Sequence, residues 1–301
     1  MVDLHFLFGV APRSGTTYLG DLLAAHPAVE LPRDLPEDGL LQPLHHLDAY
    51  VEDLAKFWES WPDLATPGPN DVMQAVGRGF QNLVLERSSK DAVDVVVSKT
   101  PFPTNLDRLR ELFPESRAIV IVRDGRSVVE STVRTWGSPF DVAAARFRDG
   151  AREILRAIGS VESAPPHLHV VSYESLFADP VGVTSRALEF LGLDSSLLPA
   201  DAVEGAPVRG SSTARGDESG DAVHWDAVER PADFAPTTRW NSWTDRQHEL
   251  FAAIAGDENV ALGYGANKVG GLARSSSALL SLRRAAFTVL PDSARDSFRR
   301  R

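Results

Sequence analysis

The residues best suited to chemistry stand near the start of the chain. Arg13, Ser14, Gly15, Thr16 and Thr17 follow an apolar run over 6–10 and a break at Ala11-Pro12. The apolar run is short enough to be a buried strand, and the pattern after the break is helical. A strand therefore feeds a tight loop, and the loop opens a helix. Small side chains at that helix start leave backbone N–H groups aimed outward at the positive end of the helix dipole, a geometry that binds phosphate or sulfate. Two further positions stand at strand ends, where α/β sheets gather their chemistry. Lys99 follows the apolar run 92–97, and Arg123 follows the β-branched run 118–122, with Ser131 eight residues later on the next helix.

The loop is not the nucleotide-triphosphate loop G-x-x-x-x-G-K-[ST], in which a lysine reaches the outer phosphates and a Ser or Thr holds magnesium. Counting from Gly9, the second glycine falls at Gly15, one place late, and Thr16 stands where that lysine should be. The cation lies ahead of the glycine instead, at Arg13. A basic residue followed by Ser-Gly-Thr-Thr resembles the 5′-phosphosulfate loop of sulfotransferases that use 3′-phosphoadenosine 5′-phosphosulfate (PAPS). Arg123 and Ser131 match the pair that grips the 3′-phosphate in that family, a role suited to a forked cation and a hydroxyl. The run from Tyr173 resembles the family's Tyr-Glu-x-Leu phrase, whose tyrosine lies against the adenine, although a core tyrosine reads equally well. A downstream glycine-containing loop closes over the 3′-phosphate in the family, and Arg209-Gly210-Ser211 is the candidate here.

The same resemblance implies in-line attack by an acceptor hydroxyl on sulfur. Arg13, Lys99 and the N–H groups of residues 14–18 (Ser14, Gly15, Thr16, Thr17, Tyr18) would stabilise the sulfuryl and departing phosphate oxygens. Some branches place the proton acceptor after the first helix in a phrase like Pro-Lys-Glu, matched here by Pro32-Arg33-Asp34. Cytosolic members have a histidine just after the lysine, and Pro101 stands in its place. The base thus becomes a carboxylate, expected at Asp34, with Glu37, Asp38, His45 and His46 as competitors. Arg33 beside Asp34 would lower its pKa and weaken it as a base. The acceptor class would be a glycolipid, a saccharide or a small metabolite. The rival readings are a nucleoside or sugar kinase and a nucleotide-binding module without chemistry.

The elements that must position these residues alternate in type. Helical spacing covers 16–25, ending at His26-Pro27, then 50–62, 72–88, 106–113 and 141–159; buried strands are expected at 6–10, 92–97, 118–122 and 168–172. Tyr50, Phe57, Trp58 and Trp61 read as core, and Arg126 and Arg134 as surface charge. Such β-α alternation calls for a doubly wound, mostly parallel sheet in one domain over 1–267. Residues 199–243 lack periodicity and crowd Gly, Ser, Asp and Pro, the composition of a lid or long loop. A further helix starts at Thr244 or Asp245.

Composition narrows the partners. A net charge of −11 over 301 residues argues against general nucleic-acid binding. The segment 268–301 is the exception, with eight basic residues against Asp292 and Asp296, a net of +6, which leaves −17 for the rest. Leu279, Leu282, Ala286 and Leu290 share one helical face there, so this tail reads as packing on its own domain or touching an anionic membrane. The absence of cysteine suits a reducing compartment. The first strand begins within about five residues of Met1, and no apolar run nears twenty residues, so neither a leader nor an anchor is expected and the cytoplasm is the expected location.

Overall fold

The computed structural model describes residues 2–32, 37, 40–61, 66–88, 93–207 and 235–265. Along the chain run β1 (Asp3–Gly9), α1 (Thr16–Ala24), β2 (Val29–Glu30), α2 (Leu44–Trp58), α3 (Pro69–Leu85), β3 (Val95–Thr100) and α4 (Leu109–Leu112). They are followed by β4 (Ala118–Val122), α5 (Gly125–Trp136), α6 (Phe140–Ile158), β5 (Leu168–Ser172), α7 (Tyr173–Ala178), α8 (Pro180–Leu191), α9 (Ala200–Glu204) and α10 (Asp245–Ala261). The strands form one sheet in the order β2-β3-β1-β4-β5, and every pairing is parallel. The expected doubly wound α/β fold is therefore present.

Near-continuous apolar strands are what a parallel sheet covered on both faces demands. Phe6 and Phe8 of β1 point to one face, where they meet Phe147, Ala151 and Ile154 of α6 and Phe251 and Ala255 of α10. Leu7, between them, points to the other, with Leu19, Leu22 and Leu23 of α1 and Ala187 and Leu188 of α8. The chain leaves β1 toward β2 on one side and later returns to β4 on the other. The crevice at the carboxyl ends of β1, β3 and β4 is thus the switch point where such sheets bind ligands.

Several expectations shift in the structure. β3 begins and ends later than 92–97, because its register against β1 runs from Asp3↔Val95 to Phe8↔Thr100; Lys99 is consequently within the strand's last turn of pleat. The segment 106–113 is a 3₁₀ turn (Leu106–Arg108) followed by the single-turn α4. A left-handed Asn105 (φ 58°) precedes it, and Pro114 bars any continuation. Tyr50 and Phe57 of α2, and Trp61 beyond its end, are not core; they are 59%, 62% and 52% exposed, Trp58 is half-buried, and α2 buries only Leu44 and Val51. Within 199–243 the described parts include α9 and a 3₁₀ turn, Arg239–Ser242. Arg209, Gly210, Ser211 and the 268–301 tail lie outside the described residues. Among the described residues no helix is long and apolar enough to cross a membrane.

Candidate active site

The loop between β1 and α1 closes on itself. The Ser14 hydroxyl, fully buried, donates to the Ala11 carbonyl at 2.7 Å, and the Ser14 N–H reaches the same oxygen at 3.2 Å. Gly15 caps α1 with φ 109°, a left-handed conformation that favours glycine, and a Cβ there would collide with the Tyr173 ring. Gly9 is equally constrained, because a Cβ would run into the Ser14 hydroxyl. Backbone is thereby brought close under the start of α1, where the first turn's N–H groups have no intrahelical acceptor. Thr16 and Thr17 open that helix, and Tyr18 sets its ring edge-on to Tyr173 at 6.4 Å.

Above this cradle the structure gathers positive charge. The Arg13 Nε donates to the Ser131 hydroxyl at 3.0 Å, joining two residues 118 positions apart. Arg123, buried at the end of β4, donates from one NH group to the Arg13 carbonyl at 2.8 Å and from the other to the Pro236 carbonyl at 2.6 Å. Its guanidinium lies 4.1 Å over the Tyr173 ring, while its Nε is buried with no hydrogen-bond partner. Arg239 completes the group. Burial, then repulsion from Arg123 and Arg239, holds the Arg13 pKa below the usual arginine range. Arg239 is lowered likewise, by burial and then by Arg123.

The carboxylates on the same elements are engaged elsewhere. Asp124 holds Arg126 at 2.5 Å, Glu130 accepts from Arg134 and from the Trp243 indole at 2.6 Å, and Glu174 accepts from Tyr264 at 2.7 Å. Burying mutually repelling cations is costly unless an anion compensates. The orphaned Arg123 Nε–H, the glycine cradle and the three neighbouring guanidinium groups together fit a multiply charged phosphate ligand.

The lysine side of the crevice is separate. Lys99 Nζ lies 3.3 Å from the Thr17 hydroxyl and forms an ion pair with Glu37. Of the competing bases, Glu37 is therefore brought to the expected lysine. His45 and His46 are exposed on α2 with rings 3.9 Å apart, and Asp34 and Asp38 lie outside the described residues.

Tyr173 is buried, and burial raises its hydroxyl pKa; it touches the cradle through Gly15 and the charge cluster through Arg123. Two residues were not legible beforehand. Arg239 sits in an aperiodic stretch, where a single Arg-Trp phrase offers little signal. Arg126, expected at the surface, is largely buried, because its guanidinium stacks 3.7 Å from the centre of the Trp240 ring and thereby anchors the turn that carries Arg239.

Comparison with known proteins bears on the family and the fold. The chain is 30% identical over 146 residues to the nodulation protein NoeE of Sinorhizobium fredii, covering 45% of this chain and 32% of that protein. It is 24% identical over 246 residues to protein-tyrosine sulfotransferase A of Caenorhabditis elegans, covering 78% of this chain and 60% of the other. The chain thus spans less than two thirds of the length of these relatives. Among solved structures, the sulfotransferase domain of the Synechococcus PCC 7002 olefin synthase shares the fold, with a TM-score of 0.50 and 22% identity over 87% of this chain and 93% of that one. The model of the sulfotransferase family matches residues 6–196, most of the chain, from within β1 to beyond β5, and the chain belongs to the sulfotransferase family.

Proposed function

We propose that the protein transfers the sulfuryl group of PAPS to a hydroxyl-bearing acceptor. The observation that carries this reading is the cluster of buried Arg123 with half-buried Arg13 and Arg239 beside a phosphate-type loop. A nucleotide with a single phosphate chain needs the loop; a second phosphate on the ribose accounts for the cluster. When bound, PAPS supplies the sulfuryl group, whose bond to the 5′-phosphate oxygen breaks as the acceptor oxygen bonds to sulfur.

This chain's residues divide the remaining work. The Gly15 turn and the first N–H groups of α1 hold the 5′-phosphate end, and Arg123 with Ser131 holds the 3′-phosphate. Tyr173 lies against the adenine side. Lys99 stabilises the oxygen that gains charge, with Thr17 and Glu37 fixing its position. Asp34 accepts the acceptor proton, and Glu37, already on Lys99, is the carboxylate that takes this role if Asp34 does not reach the crevice. A glycolipid, saccharide or small metabolite is the acceptor.

Calorimetry tests the donor. Adenosine 3′,5′-bisphosphate should bind in EDTA, at least about tenfold more tightly than adenosine 5′-phosphate, which matches the value of one charge-assisted contact. Tighter binding of ATP that requires magnesium would contradict the reading and favour a kinase.

A further inference from the structure

The turn that follows Arg123 is held by side chains from two distant elements. Asp124 and Gly125 are buried where β4 gives way to α5, so their N–H groups need acceptors from the protein. The Asp124 carboxylate caps the helix through the Arg126 N–H at 3.0 Å and leaves the other two N–H groups to outside partners. The Glu174 carboxylate of α7 accepts from the Asp124 N–H at 3.2 Å, and the Asn259 side-chain oxygen of α10 accepts from the Gly125 N–H at 2.7 Å. The second Glu174 oxygen takes the Tyr264 hydroxyl at 2.7 Å. Glu174 directly follows Tyr173, the residue whose ring lies against the Arg123 guanidinium.

Asn259 and Tyr264 reach this turn together because of how α10 stops. Gly263 takes a left-handed conformation (φ 93°), its N–H returns to the Val260 carbonyl at 2.9 Å, and the Tyr264 N–H returns to the Asn259 carbonyl at 3.0 Å. That closure is a Schellman motif, and it folds Tyr264 back beside Asn259. Asn259 is 1% exposed, and its amide nitrogen is buried with no hydrogen-bond partner. An apolar residue would pack there without that cost; what asparagine adds is the acceptor for Gly125. Burial, then Glu174, raises the Tyr264 pKa, so its hydroxyl remains a donor at neutral pH. We propose that Asn259 and Tyr264 are positioning residues that hold the Asp124 and Gly125 peptides and thereby aim Arg123 at the 3′-phosphate of the nucleotide. The proposal rests on the nucleotide reading above and extends control of the 3′-phosphate site to the end of α10.

Calorimetry on the full chain distinguishes the outcomes, with adenosine 3′,5′-bisphosphate and adenosine 5′-phosphate as probes. Asn259→Ala should weaken the bisphosphate about threefold to tenfold, the worth of one hydrogen bond, and leave the monophosphate within about twofold. Asn259→Asp keeps an acceptor for the Gly125 N–H at the positive end of α5 and should recover most of the loss. Tyr264→Phe removes a single oxygen, so it keeps the packing of α10 even if Asn259→Ala fails to fold, and it should show the same split between the probes. In an Arg123→Ala background Tyr264→Phe should add nothing, because residues that act through one another are non-additive. Equal losses for both probes, an unchanged bisphosphate affinity in Tyr264→Phe, or additive effects of the two substitutions would overturn the proposal while leaving the nucleotide reading intact. A wild-type chain that binds both probes equally, or neither, would overturn the nucleotide reading and this inference with it.

Discussion

Arg123 and Ser131 illustrate what single residues can reveal. Their spacing across a strand end and a helix was readable, and the structure joins them through Arg13, which donates to Ser131 and whose carbonyl accepts from Arg123. Arg123→Ala and Ser131→Ala should each weaken adenosine 3′,5′-bisphosphate while barely affecting adenosine 5′-phosphate, as measured by calorimetry. An equal loss for both would place these residues away from the 3′-phosphate. Lys99→Ala should lower kcat by roughly 100 to 1000, the cost of removing one preorganised stabiliser of developing charge. Asp34→Asn should lower kcat by about two to four orders of magnitude with donor affinity nearly unchanged. If Asp34→Asn turns over normally and Glu37→Gln does not, the carboxylate already paired with Lys99 is the base. Arg239 escaped the sequence because its role comes from the packing of Arg126 on Trp240, a contact between residues 114 positions apart that no local pattern records.

At the scale of elements, the strands were the most legible part. β4 and β5 coincide with the expected spans, because a run of β-branched and apolar residues between turn signals has few alternatives. β3 was displaced because its limits are set by register against β1 and not by its own hydrophobicity. Tyr50 and Phe57 of α2 were misread for a related reason: helical spacing shows that a face exists but not whether anything covers it. Close approach between elements was equally hidden. A Cβ on Gly150 of α6 would run into the Val10 carbonyl at the entrance to the phosphate-type loop. Gly150→Ala should therefore destabilise the fold by about 1 to 3 kcal/mol, the usual cost of overpacking, and loosen nucleotide binding as well. A thermal midpoint equal to wild type would show that α6 does not press on the loop.

For the whole molecule, stability and activity make separate predictions. His5 is buried in β1, and its Nδ1 accepts from the Arg117 N–H at 3.2 Å. Burial lowers its pKa below the ordinary 6.5. Below that value the unfolded chain binds a proton that the folded chain resists, so stability falls as pH drops through about 6.5. His169, lowered by burial and then by Arg186, acts in the same direction. Thermal unfolding followed from pH 7.5 to about 5.5 should show a falling midpoint, and His5→Asn should flatten part of that slope. The family was legible from the loop and the Arg123/Ser131 pair, because phosphate recognition uses short local motifs. The acceptor was not, because acceptor sites are built from packing between distant segments.

The central claim is sulfuryl transfer from PAPS without a metal. Incubating the full chain with sulfur-labelled PAPS, EDTA and a panel of glycolipids, saccharides and small hydroxyl metabolites tests it most directly. The account predicts label transferred to an acceptor hydroxyl, with adenosine 3′,5′-bisphosphate released in equal amount and EDTA without effect. Phosphorylation of the same panel by ATP, abolished by EDTA, with no label transferred from PAPS, would contradict it.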